Sequence, residues 1–210
     1  MAHRARCVTL GIGLWLTACA SDDPPPAPAE GCGFGSVSAA GTTGFSEPVP
    51  VPGSVCGAVV TQEADAAGQH VPECSVIRHS SNPPAVGAHY GSWAAYRTYD
   101  TPVPRGFWVH SMEHGAVVLL HNCSDCADEI AAAAALIDEL PEDVSEQCLA
   151  AGVRRKVILT PDPALDVRWA AAAWRFTLRS DCFEPEVFRA FASEHYGQGT
   201  ERSCVPGREF

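Results

Sequence analysis

The run Ala116-Val117-Val118-Leu119-Leu120 is continuously apolar and partly β-branched, the pattern of a central strand buried on both faces. Its strand signal reaches back to Val109, and the polar stretch Val109 to His114 reads as a turn that delivers the chain into it. Asp125 to Leu140 is alanine-rich with Ile130, Leu136, Ile137 and Leu140 at near-helical spacing, so a helix is expected there. Ser124 or Asp125 would cap it and Pro141 would stop it. Val153 to Thr160 reads as a strand ending at Pro161-Asp162-Pro163. Arg168 to Leu178 fits strand or helix, with strand favoured from Trp174 to Leu178. Pro185 to Tyr196 predicts an amphipathic helix, with Val187, Phe188 and Phe191 on one face and Glu184 and Glu186 at its positive end.

Upstream the pattern is weaker. Residues 32–60 are rich in Gly, Ser, Pro and Val and read as irregular structure with edge strands at Val49 to Val51 and Val55 to Val60, stapled by Cys32 and Cys56. Gln69 to His79 reads as extended, limited to an edge by Pro72. Ser80 to Tyr90, with two prolines, is a stiff loop presenting His89. The order β-α-(α)-β-β-α predicts an α+β fold: a single small sheet, two or three helices, Pro-rich loops and several disulfides. That order is compatible with a distant thioredoxin-like half.

The N-terminus changes the picture. Val8 to Leu16 is apolar behind His3, Arg4 and Arg6, too short to span a bilayer but suited to a secretory signal. It ends in Leu16-Thr17-Ala18-Cys19, which resembles the lipobox of bacterial lipoproteins. The expected organisation is therefore a signal peptide over 1–18, an acylated Cys19 with a Pro-rich tether over 19–31, and one α+β domain over 32–210. The tether would extend roughly 30 Å if polyproline-like. Such a protein would sit in the bacterial cell envelope, and Ala20 after the anchor favours the outer membrane, facing periplasm or surface. Without Arg4 and Arg6 the chain has 12 basic and 25 acidic residues, a formal charge of −13. That excludes nucleic acid as a natural partner and leaves the membrane, through Cys19, as the expected one.

Cysteine usage agrees with export. Once Cys7 and Cys19 are set aside, Cys32, Cys56, Cys74, Cys123, Cys126, Cys148, Cys182 and Cys204 form an even set, read as up to four disulfides of undetermined connectivity.

Several stretches carry a family resemblance: Gly68-Gln69-His70-Val71-Pro72, Asn82-Pro83-Pro84 with Gly87 and His89-Tyr90, and Tyr99-Asp100 with Pro102. The firmest is Val109-His110-Ser111-Met112-Glu113-His114-Gly115, followed by Leu159-Thr160-Pro161 and Ala173-Trp174. Over roughly residues 68–204 the chain resembles the uncharacterised bacterial family DUF3105, a domain of unknown function. Ala85-Val86-Gly87-Ala88 stands where that family tends to have Thr-Ser-Gly-Pro, and Met112 replaces a usual leucine. The resemblance implies no activity, so the residues must supply the chemistry.

Histidine is the commonest ligand for zinc and copper. His89, His110 and His114 are the first-choice ligands, with His70 and Glu113 next; His79 and His121 lie nearby in sequence, and Met112 admits copper beside zinc. On a strand His110 and His114 would stand roughly 13 Å apart, so a turn is needed to bring them together. The competing reading has these side chains pinning loop backbone. His110 to His114 also fits H-x-x-E-H, the inverted zinc-protease motif, which needs a helix where the local pattern reads as β. Cys123-Ser124-Asp125-Cys126, between a strand and a helix, is a candidate redox pair, although a structural disulfide is the commoner outcome in an exported chain. Trp93, Tyr96, Tyr99, Phe107 and Trp108 fit a core better than a binding groove. The sequence thus points to an exported lipoprotein with a His-rich site, non-enzymatic and metal- or ligand-binding. The alternatives are a thiol-disulfide oxidoreductase using Cys123 and Cys126, or a structural envelope module.

Overall fold

The computed structural model describes Cys32, residues 36–37, 46–64 and 67–210. The expected signal peptide, Cys19 and the tether lie outside the described residues. In order, the elements are β1 (Ser36–Val37), β2 (Val49–Pro50), β3 (Val59–Gln62), β4 (Gln69–Val71), β5 (Arg78–His79), β6 (Ala88–Tyr90) and α1 (Arg105–Glu113). There follow β7 (Val117–His121), α2 (Ala127–Glu139), α3 (Glu146–Ala151), β8 (Val157–Pro161), β9 (Trp169–Ala173), β10 (Phe176–Ser180) and α4 (Pro185–His195). This is the α+β fold expected.

The main sheet has six strands in the order β2-β3-β10-β9-β7-β8. β7, buried at all five positions, runs parallel to β8 and antiparallel to β9. β9 and β10 form a hairpin whose turn, Trp174-Arg175, holds Arg175 at φ 73°. The order β7-α2-α3-β8-β9-β10-α4 has one strand more than the anticipated β-α-(α)-β-β-α, because Arg168 to Leu178 is not one strand from Trp174 but a hairpin that turns there. Beside this sheet, two short parallel ladders join β1 to β5 and β4 to β6.

Alternation along the strands splits the core into two layers. One face carries Val117, Leu119, Leu159, Trp169, Ala171 and Leu178 against Leu136 of α2, Leu140 at its C-cap, and Phe188 and Phe191 of α4. The other carries Val118, Leu120, Ile158, Ala170 and Ala172 against Phe107, Trp108, Val109 and Met112 of α1, with Tyr90, Ala94 and Tyr99. The run of alanines in β9 keeps its surface low, which admits the bulky aromatics on both sides. The candidate groove aromatics Tyr99, Phe107 and Trp108 are therefore core.

The expected turn over Val109 to His114 is corrected: it is the second half of α1. Its end is set by Gly115, at φ +85°, where the amide of Gly115 donates to Met112 O (2.8 Å) and that of Ala116 to Ser111 O (3.0 Å). That double bond pattern is a Schellman termination, which favours a left-handed glycine. A Cβ at Gly115 would also overlap the backbone of Gly197. All nine residues of α1 are buried, so no polar face marks it as a helix. α2 is also corrected at its start, since Cys126 occupies the cap position with no side-chain cap bond.

The eight cysteines among the described residues are all paired: Cys32–Cys74, Cys56–Cys182, Cys123–Cys126 and Cys148–Cys204. Cys32 and Cys56 thus staple to different distant segments. Among the described residues no helix is long and apolar enough to cross a membrane.

Candidate metal centre

Two local structures converge at the C-terminal end of α1. The β4/β6 ladder sets His70 directly opposite His89. One helical turn of α1 places His110 and Glu113 on a common face, as a three-residue spacing must. The three imidazole rings form a near-equilateral triangle, with centroids 4.9 Å (His70 to His89), 4.7 Å (His70 to His110) and 4.8 Å (His89 to His110) apart. One donor atom from each of His70, His89, His110 and Glu113 lies within 4.8 Å of all the others. His89, His110 and Glu113 are buried, whereas the His70 side chain is 54% exposed and forms the open wall.

Backbone carbonyls orient the buried rings. His89 Nδ1 donates to Gly87 O at 2.9 Å, and His110 Nδ1 donates to Tyr90 O at 2.7 Å. A carbonyl oxygen can only accept, so each Nδ1 must carry the hydrogen and each neutral ring presents a lone pair at Nε2. This arrangement fixes tautomer and direction in metal-ligating histidines. Burial is the main force holding the His89 ring below the usual imidazole range, opposed by the Glu113 carboxylate. Burial likewise lowers His110 to about 4 against the pull of its bond to Tyr90. Both rings are therefore neutral at neutral pH.

The consequence is a contact between two acceptors. His89 Nε2 stands 3.0 Å from Glu113 Oε2, and His70 Nε2 lies 3.9 Å from the same oxygen. With Nδ1 already donating, His89 Nε2 is a buried nitrogen without a hydrogen-bond donor, aimed at a carboxylate. Such a pairing is unfavourable alone and favourable around a cation, since about 2 Å bonds from one ion place its ligand atoms roughly 3 Å apart. Gly68 makes room for it: a Cβ there would overlap the Glu113 carboxylate and the His89 ring.

His114 is placed differently from the first-choice expectation. It caps α1, packs its ring against Trp93 (centroids 4.5 Å) and directs Nε2 to Glu201 Oε2 at 3.1 Å. It therefore groups with His110 and Glu201 rather than with His70, His89 and Glu113. Glu201, and Thr200, whose hydroxyl donates to Glu113 Oε1 at 3.4 Å, carried no sequence signal; they sit in a polar tail with no motif. His110 and His114 do lie on one helix, contrary to the β reading of the protease pattern. Glu113 lies within ligand distance of His70, His89 and His110, while His110 and His114 form a second group with Glu201 that does not include Glu113. Met112 is fully buried in the core layer beneath α1, with Phe107 and Trp108.

Two other groups of ligand-type residues contain cysteines, His121 with Cys123 and Cys126, and Asp143 with Cys148 and Cys204. In both the sulfurs are tied in disulfides. Of the remaining histidines, His79 is buried on β5, and His121 lies at the far end of β7 beside Cys123.

No curated protein and no solved structure gives a significant match to this chain. Residues 70–206, which span the histidines, Glu113 and Glu201, match the family described as Protein of unknown function (DUF3105), and the chain belongs to that family.

Proposed function

We propose that this protein is an exported, lipid-anchored domain of the bacterial cell envelope that binds one divalent transition-metal cation non-enzymatically. His70, His89, His110 and Glu113 are the ligands. The observation that carries the reading is the buried Nε2 of His89 facing the Glu113 carboxylate at 3.0 Å with its Nδ1 committed to Gly87. Three imidazoles and one carboxylate suit Zn²⁺ or Cu²⁺; softer Cu⁺ would want thiolate or thioether donors. The envelope location is supported by the Leu16 to Cys19 lipobox and by eight cysteines in four bridges.

The test is metal analysis and titration calorimetry with Zn²⁺ and Cu²⁺ on the chain from residue 20 onward, beside His89→Ala and Glu113→Gln. Stoichiometric binding that falls at least about tenfold in each variant, with circular dichroism unchanged, supports the site. Absence of binding by the unaltered protein overturns it. Labelling with a radioactive fatty acid in a bacterial host, lost in Cys19→Ser, tests the anchor.

A further inference from the structure

The Cys123–Cys126 bridge differs in kind from the other three. Those join positions 42, 126 and 56 residues apart and tie distant segments together. Cys123 and Cys126 are three residues apart, so their bond closes a very short loop and restrains the unfolded chain least. A stapling role accounts for it poorly.

Its surroundings suit chemistry. β7 ends at His121, and Cys126 caps α2, whose free amides and dipole favour negative charge at that end. Cys123 is half-buried on a cleft of about 460 Å³ shared with Pro102, His121, Pro161, Pro163 and Arg168, while Cys126 is only 4% exposed behind it. One sulfur can be reached and the other is screened. His121, itself 6% exposed, directs Nδ1 toward Cys123 Sγ at 3.8 Å. Burial holds this imidazole below its ordinary range, so it stands neutral beside the sulfur. Arg168 on the cleft wall is paired with Asp125, which also lines the cleft, and with Glu129, each at 3.0 Å, so the wall gains no free cation.

We propose that Cys123 and Cys126 form a thiol-disulfide exchange site that oxidises a dithiol in a cysteine-containing polypeptide lying in this cleft. A substrate thiolate attacks Cys123 Sγ; the bond to Cys126 breaks, and Cys126 leaves as a thiolate at the start of α2. The second substrate thiolate then attacks its own partner sulfur in the mixed disulfide, and Cys123 leaves as a thiolate beside His121. The substrate loses two electrons and two protons and gains a disulfide. The electrons reduce the Cys123–Cys126 bond, and the protons end on the two freed thiols. This site is independent of the metal reading: its cysteines follow the C-terminal end of β7, whereas α1 reaches the metal centre before β7 begins.

Titration of the folded chain with glutathione redox buffers, read by alkylation and peptide mass spectrometry, gives the first test. Selective opening of Cys123–Cys126 while the other three bridges persist is expected. A second measurement uses Cys126→Ser with a small disulfide-linked peptide as probe. Cys123 should be captured at least about tenfold faster than Cys126 in Cys123→Ser. Cys123–Cys126 opening only together with the other bridges, or under denaturant alone, overturns the proposal. So does capture at Cys123 no faster than at Cys126.

Discussion

Arg105 Nε donates to Asp162 Oδ2 at 2.9 Å, and neither side chain reaches solvent appreciably. Arg105 Nη2 also donates to Asn82 Oδ1 at 2.7 Å, and the Asp162 amide donates to His121 O at 2.8 Å. One ion pair thus joins the first turn of α1, the proline loop before β6 and the segment after β8. Asp162→Ala strands a buried guanidinium, so an unfolding cost of about 3–5 kcal/mol is expected in urea melts. A cost below about 1 kcal/mol would show that the pair does not hold α1 in place.

Gly68→Ala should separate the metal centre from the fold. The added methyl meets the Glu113 carboxylate and the His89 ring, at the edge of a short ladder rather than in the main sheet. Metal affinity is expected to fall by about tenfold or more, as for other disturbances next to ligands, with a far-UV spectrum like that of the unaltered protein. Unchanged affinity would mean that the ligand set does not include both neighbours.

The two histidine groupings make opposite demands. His70→Ala, although its side chain is largely exposed, should weaken zinc binding by about tenfold, whereas His114→Ala and Glu201→Gln should change it less than about threefold. Titration calorimetry on the three variants decides; a larger loss in His114→Ala would move the ion to the His110, His114 and Glu201 group.

Acid should weaken the metal-free fold. Burial holds both His79 and His110 at about 4, against an ordinary 6.5. Between those values the unfolded chain takes up protons that the folded chain refuses, so stability is full above about 6.5 and is lost as pH falls toward 4. Glu63 works in the opposite sense. Buried beside Ser80 and Ser81, it is raised to about 7, so its contribution is full below about 4.5 and is lost as pH rises toward 7. Because the two histidines outweigh one glutamate, urea melts at pH 5 should show lower stability than at pH 7. Glu63→Gln should steepen that loss; a shallower dependence in the variant would contradict the assignment.

What could be read in advance followed from local pattern. The central strand, the amphipathic α4 with Phe188 and Phe191 facing the core, and the even cysteine set announce themselves in the sequence. α1 does not, because a helix buried on every side lacks the polar stripe that reveals the 3.6-residue period. His89, His110, His70 and Glu113 were visible as ligand types. Their sorting was not, since the pairing of His70 with His89 depends on a three-residue ladder between segments with no strand pattern. Glu201 reaches the site only because Gly199 lets the tail lie against the backbone of Glu113 and Gly115. Nothing in a lone acidic residue foretells that.

The bridges also constrain how the chain must be made. Cys56 lies inside the span closed by Cys32 and Cys74, yet its partner Cys182 lies outside it; Cys148 lies inside the Cys56–Cys182 span, with Cys204 beyond. The loops interlock instead of following one another. An oxidant acting on cysteines in their order of emergence would join Cys32 to Cys56 first, leaving Cys182 without its mate. Reaching the native pairing from that start requires reshuffling, so yield of this protein should depend on a disulfide isomerase far more than on oxidising strength alone.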